Sequence, residues 1–465
     1  MALFQDKIYP NLPVFAQNLA ITAYGYYWHK RRFGGIFHQE LRKFKERENF
    51  TVQQWRDYQT VELRKLLVHA FETVPLYRER YSALGFTKSQ FERFELEDLS
   101  KLPFLTKEDL RRYGTTTLLS SKREKGGQFF SSSGSTGTPT RILFSLPFHQ
   151  RWSAAYEARI RHWAGVDRFH SRGMIGGRRV LPKADAKPPF HRYNWVEKQV
   201  YFSAYHLAPK NVIFYLDAIY KHKVKYMTGY AMSNFFLANM ISEQSLKAPE
   251  LLAVITSSEK LTNEMRKTLS QVYGCKVYDG YSGVEACGLI SETSFGELLV
   301  SPDVGIMEII NEYGEPVKPG ETGEIISTGL LNYDQPLIRY RIGDTVTLSN
   351  NQKSQCGRNM PVIKEINGRV EDKIVGPDGR QMVRFHSLYV DISGLVAAQI
   401  IQEKINKFTI NLVVDSTYKS SSEQVIIKRL KSQLGEVDVD FYYMDEIPKN
   451  TNGKFQAVIS RLKSL

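Results

Sequence analysis

Cysteine is scarce in this 465-residue chain, which has Cys275, Cys287 and Cys356 and no others. An odd count without close pairs excludes a disulfide framework and a paired-thiol zinc site, so all three read as structural thiols. Long apolar runs are missing too. No stretch approaches the roughly 20 residues needed to cross a bilayer as a helix, which sets aside a transmembrane protein. The opening, MALFQDKIYPNLP, lacks the basic start and continuous apolar core of a secretory leader, and the expectation is a protein that stays in the cytoplasm. There is no internal repeat and no low-complexity tract, so a solenoid is excluded. Also absent are zinc-finger spacing, a basic zipper and an aromatic RNA-binding signature. Their absence matters because 63 lysines and arginines against 49 acids leave a net charge of +14. Such a surplus attracts phosphates, but here it is scattered, so the expected anionic partner is a small substrate or a membrane surface rather than nucleic acid.

What is present is ordinary globular material, 42% hydrophobic and 12% aromatic, in a length that calls for two or three domains. Residues 1 to about 100 read as mostly helical. Their aromatic and basic opening, Tyr24, Tyr26, Tyr27, Trp28, His29, Lys30, Arg31 and Arg32, fits a helix capping the main domain, with contact to a membrane surface as the alternative. Leu63, Leu66, Leu67, Ala70, Phe71 and Val74 recur at helical spacing, and Pro75 ends the run. Thr106 with Asp109 predicts a capping box for a helix through Tyr113. Further on, LLAVITSSEK, TNEMRKTLSQVYG and CKVYDGYS read as strand, helix and strand, with Thr262 as the N-cap and Gly274 as the left-handed stop. The loops after both strands then share the sheet edge where α/β enzymes build their sites. Near Gly368 the character changes. FTINLVVD, SSEQVIIKRLKSQL and VDVDFYYM predict a second, smaller strand–helix–strand unit.

The strongest local signal is Ser131 through Thr140, SSSGSTGTPT, between the strand-like QFF and ILFS. Glycines and small hydroxylic side chains let backbone amides and hydroxyls close on phosphate oxygens as an anion nest. A Walker loop is excluded because no lysine–serine or lysine–threonine pair follows the second glycine of this loop. A flexible linker is the other reading of such a composition; the flanking strands and Pro139 favour the ordered loop.

At this loop the chain resembles the adenylate-forming superfamily of acyl-CoA synthetases, peptide-synthetase adenylation domains and luciferases. The resemblance recurs in order through ITSSEKLTNEMR (255–266), YSGVE (281–285), GETGEIISTGLLNYDQPLIRYRIGD (320–344), NGRVED (367–372) and IPKNTNGK (447–454). TVPLYRERY, LPFLTKEDL and NYDQPLIRYRIGD look like the phenylacetate-CoA ligase branch. The opening NLPVFAQNLAITAYGYYWHKRRFGG and the ending NGKFQAVIS look closer to CapK-like proteins of polysaccharide gene clusters.

The resemblance implies an α/β fold with a large multi-subdomain nucleotide-binding part and a small mobile α/β C-terminal domain. The expected division is a helical region at 1–100, an adenylate-forming large domain at 101–370 and the small domain at 371–465. It implies ATP and magnesium as cofactors, CoA as an acceptor, and acyl-adenylate formation followed by acyl transfer. Transfer to an amine in polysaccharide synthesis is the alternative acceptor chemistry, and a non-catalytic nucleotide-binding descendant is a second alternative. By the same resemblance Ser132, Ser133, Gly134, Ser135, Thr136, Gly137 and Thr138 hold phosphates. Ser258, Glu259, Tyr281, Ser282, Asp344 and Arg369 complete the nucleotide site, with Tyr281 stacked on adenine and Asp344 on the ribose hydroxyls. Glu285 is the expected magnesium ligand, Lys454 the mobile catalytic lysine, and Tyr230, Ser257 and Tyr281 the walls of the acid pocket. Three positions depart from the pattern: Ser282 stands where glycine is usual, Val284 where a hydroxyl is usual, and Gln456 where arginine is often found.

Overall fold

The computed structural model describes residues 8–131, 140–177, 180–181, 186–259, 261–367, 374–382, 386–389, 392–445, 447 and 458–462. The chain opens with helices α1 (Val14–Phe33), α2 (Phe37–Glu46), α3 (Val52–Thr73), α4 (Pro75–Ala83), α5 (Lys88–Phe91) and α6 (Lys107–Tyr113). Local chemistry sets their ends. Thr51 and Gln54 form a reciprocal capping box at the start of α3, and Thr106 and Asp109 do the same for α6. Pro75 cannot continue α3 but is tolerated in the first turn of α4. Leu63, Leu66, Leu67 and Ala70 of α3 are fully buried in the main hydrophobic core.

A short antiparallel hairpin follows, β1 (Gln128–Ser131) and β2 (Arg141–Phe144), with Ser131 opposite Arg141 where the 132–139 segment leaves and returns. Helix α7 (Leu146–Tyr156) is capped by Ser145 and runs on as one π-helical turn, Glu157–Arg161.

The large sheet is then laid down by β3 (Arg172–Gly176), β4 (His191–Asn194), β5 (Gln199–Ser203), β6 (Tyr226–Tyr230), β7 (Ala253–Ser257), β8 (Lys276–Tyr281), β9 (Ile290–Glu292), β10 (Leu298–Val300), β11 (Gly305–Ile310), β12 (Thr322–Gly329), β13 (Tyr340–Leu348) and β14 (Val362–Ile366). Among the described residues these twelve strands run in the order β11-β12-β13-β14-β10-β9-β8-β7-β6-β3-β5-β4. Strands β5, β3, β6, β7 and β8 are mutually parallel, and the remaining pairings are antiparallel. The crossovers are α8 (Val212–Lys221) between β5 and β6, α9 (Ala231–Glu243) between β6 and β7, and α10 (Asn263–Tyr273) between β7 and β8. Thr262 Oγ1 accepts from Met265 N, and Gly274 closes α10 at φ +61°. Leu237, Leu269, Val254 and Val277 share a buried cluster with these helices.

Helix α1 covers the edge strand β4, where an unpaired strand would otherwise be exposed. Asn18 Oδ1 accepts from Tyr193 N (3.0 Å), and Gly25 passes so close that a Cβ there would lie 2.2 Å from Asn194 Nδ2.

A buried ionic cluster ties distant segments of this body together. Asp303 accepts from Arg47 (2.9 Å) and Arg159 (3.1 Å), and Glu48 accepts from Arg159 (2.6 Å), Trp163 (3.0 Å) and Arg358 (2.8 Å).

The C-terminal elements are β15 (Ile374–Val375), β16 (Gln381–Met382), α11 (His386–Tyr389), β17 (Leu395–Lys404), β18 (Lys407–Val414), α12 (Ser421–Leu434), β19 (Asp438–Tyr443) and β20 (Val458–Ser460). Their four-stranded sheet runs β19-β18-β17-β20 and encloses its own core of Ile400, Phe408, Ile410, Ile426, Leu430 and Leu434. The strands predicted at 408–415 and 437–444 are present as β18 and β19, with α12 between them. Strand β17 is additional to that reading.

Candidate functional site

The register of the parallel strands gathers the residues expected to wall the acid pocket. Tyr230 at the end of β6 lies opposite Ser257 at the end of β7, which lies opposite Gly280 of β8, one residue before Tyr281. This is the carboxyl edge of a parallel sheet, where loops are free to vary. Ser258 follows at φ +72°, a left-handed conformation costly for a residue with a Cβ and one that clusters at functional sites. Glu259 Oε2 accepts from Met232 N (2.9 Å), which sets its carboxylate on the first turn of α9.

Two tyrosine–carboxylate bonds then join the 281–285 loop to β13 in opposite senses. Tyr281 Oη donates to Asp344 Oδ2 (2.9 Å), and Tyr340 Oη donates to Glu285 Oε1 (3.4 Å). Asp344 lies within β13 after Gly343 (φ +82°), not in the turn that its dipeptide setting alone would suggest. Burial, reinforced by the Asp344 charge and its hydrogen bond, drives the Tyr281 phenol well above its usual range, so it remains a donor. Glu285 is 8% exposed, unlike an ordinary loop acid. A Cβ at Gly283 would sit 2.3 Å from Glu285 Oε2, so a residue without a side chain makes room for this carboxylate. Ser282 is half-buried at the same strand end, and Ala286 leaves the loop at φ +48°. Beneath the strand, the π-helical turn packs tightly: a Cβ at Gly280 would lie 2.9 Å from Ile160 Cδ1.

Of the residues singled out from sequence, Tyr230, Ser257, Ser258, Glu259, Tyr281, Ser282, Glu285 and Asp344 therefore lie on this strand edge or on the β13 segment bonded to it. Ser132 through Thr138, Arg369 and Lys454 fall outside the described residues. The supports of the β1–β2 hairpin are described. Gln335 Oε1 accepts from Leu143 N (2.6 Å), its Nε2 donates to Gly114 O (2.7 Å) and Arg141 O (3.0 Å), and Asn332 Nδ2 donates to Leu143 O (3.2 Å). The NYDQP phrase thus serves β2 as a side-chain substitute for a neighbouring strand. On the other side Arg31 donates to His149 Nδ1 (3.1 Å) and Phe144 O (2.7 Å). Burial and the adjacent Arg32 and Arg31 push His149 down to about 3, so it stays neutral.

Three features escaped the sequence reading. Tyr340 was visible only as a letter in RYRIGD, and Gly283 only as a letter in YSGVE. The third is a carboxyl pair on the neighbouring strands β8 and β9: Asp279 N donates to Glu292 Oε2 (2.7 Å), and Arg266 bonds both Glu292 oxygens at 2.9 Å. Burial and the Glu292 charge raise Asp279 to about 7. Two of the thiols are poor nucleophiles, since burial lifts Cys275 to about 11 and Cys287 to about 12.

At the C-terminal end, residues 374–461 match the family described as the CapK C-terminal domain. The CapK likeness extends beyond that segment: Protein CapK of Staphylococcus aureus is 24% identical over 98% of this chain and 100% of its own length. Phenylacetate-coenzyme A ligase of Pseudomonas putida is 28% identical over 70% of this CapK-like chain and 73% of its own. Among solved structures, 2-hydroxyisobutyryl-CoA ligase bound to 2-HIB-AMP and CoA in the thioesterification state superposes with a TM-score of 0.57, at 19% identity, over 89% of this chain and 91% of that one. The α/β fold of the CapK-like chain is thus that of adenylate-forming CoA ligases. No helix among the described residues is long and apolar enough to cross a membrane.

Proposed function

We propose that this protein activates a carboxylic acid with ATP and passes the acyl group to the thiol of CoA. In the first step a carboxylate oxygen attacks the α-phosphorus of ATP. The bond from that phosphorus to the β-phosphate bridging oxygen breaks, giving acyl-adenylate and pyrophosphate. In the second step the CoA sulfur attacks the acyl carbon, AMP leaves, and the thiol proton is released.

The observation that carries this reading is the reciprocal pair of bonds, Tyr281 to Asp344 and Tyr340 to Glu285, beside the row Tyr230, Ser257 and Tyr281. Asp344 accepts the ribose hydroxyls, since each carboxylate oxygen has lone pairs beyond the one that Tyr281 uses. The Tyr281 ring faces adenine. Ser258 and Glu259 border the nucleotide, and Ser132 through Thr138 and Arg369 bind its phosphates.

Glu285 suits magnesium: it is a buried carboxylate with one oxygen held by Tyr340 and the other beside a bare glycine. Magnesium held there supplies charge neutralisation of the phosphates. Lys454 brings a cation to the reacting oxygens from a small domain at 371–465 that moves against a large domain at 101–370 and its helical region at 1–100. The protein acts in the cytoplasm.

A second reading, acyl transfer to an amine in polysaccharide assembly, is favoured by the coverage of the likeness, which is 98% of the chain for CapK against 70% for the phenylacetate ligase. ATP–pyrophosphate exchange with a panel of carboxylic acids tests the first step. Absence of exchange with every acid, alongside intact ATP binding, would mean a nucleotide-binding descendant without chemistry. With an active acid found, the product formed with CoA or with amines decides the acceptor.

A further inference from the structure

Helix α1 has two unlike faces. Its inner face carries Gln17, Gly25 and Arg31, buried against β4 and the β1–β2 hairpin. Its outer face presents Phe15, Leu19 and Tyr26, exposed by 66%, 56% and 50%. Steps of four and seven residues place these three on one stripe of the helix, and Lys30 extends it with Nζ 4.6 Å from the Tyr26 ring centroid. The turn between β4 and β5 lies alongside, because Trp195 N donates to Thr22 Oγ1 (3.3 Å), and both Trp195 and Val196 are exposed. Next to Trp195, the Tyr193 ring stacks on His222 at 4.1 Å, and His222 is flanked by the exposed Lys221 and Lys223.

The charges on these elements are one-sided. Helix α1 contains no acid. Glu197 in the turn is buried beneath Arg32 and Arg172, and Asp167, near the end of α1, is paired with His170. Asp217 on α8, one turn before Lys221, is the single exposed acid among α1, the β4–β5 hairpin, α8 and residues 221–225.

We propose that this face docks the protein on an anionic lipid surface, with α1 lying in the plane of the headgroups. Exposed phenylalanine and leucine enter the acyl boundary, tyrosine and tryptophan settle at headgroup depth, and lysines meet lipid phosphates. A second copy of the chain is the poorer occupant, because two such faces would bring lysine against lysine. A bound peptide is poorer as well, since α1 forms a ridge over the sheet edge and not a groove.

Flotation of the full chain with vesicles tests this. Binding is expected to vesicles containing phosphatidylglycerol, to fall as salt rises, and to be weak on pure phosphatidylcholine. The triple variant Phe15→Ser, Leu19→Ser, Tyr26→Ser should lose about ten-fold or more of that binding, since these side chains supply the inserted area. Lys30→Glu with Lys221→Glu should also lose binding while keeping the wild-type melting temperature, which separates docking from misfolding. Equal binding to both vesicle types, no binding to either, or a triple variant that floats like wild type would overturn the proposal. So would sedimentation showing a dimer that the triple variant dissolves.

Discussion

Tyr281 holds its proton at any pH where ATP chemistry is assayed, because burial and the Asp344 charge both oppose the phenolate. Its oxygen therefore orients Asp344 permanently. Tyr281→Phe keeps the ring and removes one hydrogen bond to a charged acceptor, so calorimetry should find ATP binding weaker by about 1.5–3 kcal/mol. Unchanged affinity would remove the pair from the nucleotide site. Glu285→Gln should raise the magnesium concentration at half-maximal pyrophosphate exchange, since an amide is a poorer ligand for a hard cation than a carboxylate. An identical titration would place the ion elsewhere. Asp279 supplies a pH test. Its carboxyl titrates near 7 in the fold against 3.8 in its reference state. The unfolded chain thus gives up that proton first, and stability falls as pH rises from about 4 to about 7, by at most on the order of 4 kcal/mol. Asp279→Asn should flatten that limb in urea melts, and a persisting slope would assign it to another group. At this scale the letters of Tyr281, Glu285 and Asp344 were legible because they sit in recurring motifs. Tyr340 and Gly283 were not, because no letter says which loop a strand residue will face or whose carboxylate will lie against a glycine.

Helix ends were the most readable elements, since their signals are local. Thr262 and Gly274 delimit α10, and Pro75 stops α3, by chemistry contained within a few residues. The strand-helix-strand run from β7 to β8 was readable for the same reason. Strand β17 was not: LVAAQIIQEK has neither clean alternation nor a helical stripe, and it becomes a strand because β18 and β20 flank it. The antiparallel extension from β9 to β14 depends in the same way on partners far along the chain. So does the clamp on β2. Gln335→Ala would leave Leu143 N, Gly114 O and Arg141 O without that side chain, a loss of about 1–3 kcal/mol for buried groups. The expected result is a lower melting temperature together with weaker ATP binding, because the clamped hairpin carries the 132–139 segment. Weaker binding with no change in melting would mean that Gln335 meets the nucleotide itself.

For the molecule as a whole, the proposed reaction divides its labour between the large body and the small C-terminal unit. If Lys454 serves only adenylation, Lys454→Ala should slow pyrophosphate exchange by about 10²–10³ while leaving the use of preformed acyl-adenylate much less affected. Equal losses in both half-reactions would point to general damage to the small unit, and no loss would make Lys454 a surface charge. The buried cluster at Asp303 has another consequence, one that concerns time. Arg47 is separated from Asp303 by 256 residues, and Arg159 by 144. On a ribosome adding roughly 5–20 residues per second, Arg47 waits about 13–50 s for its carboxylate to be made. During that interval Arg47, in the turn between α2 and α3, cannot be buried without leaving its charge unpaired. The packing of that turn must therefore wait for residue 303. A nascent chain arrested before residue 303 should therefore leave α2 and α3 open to protease, and one arrested well beyond 358 should protect them.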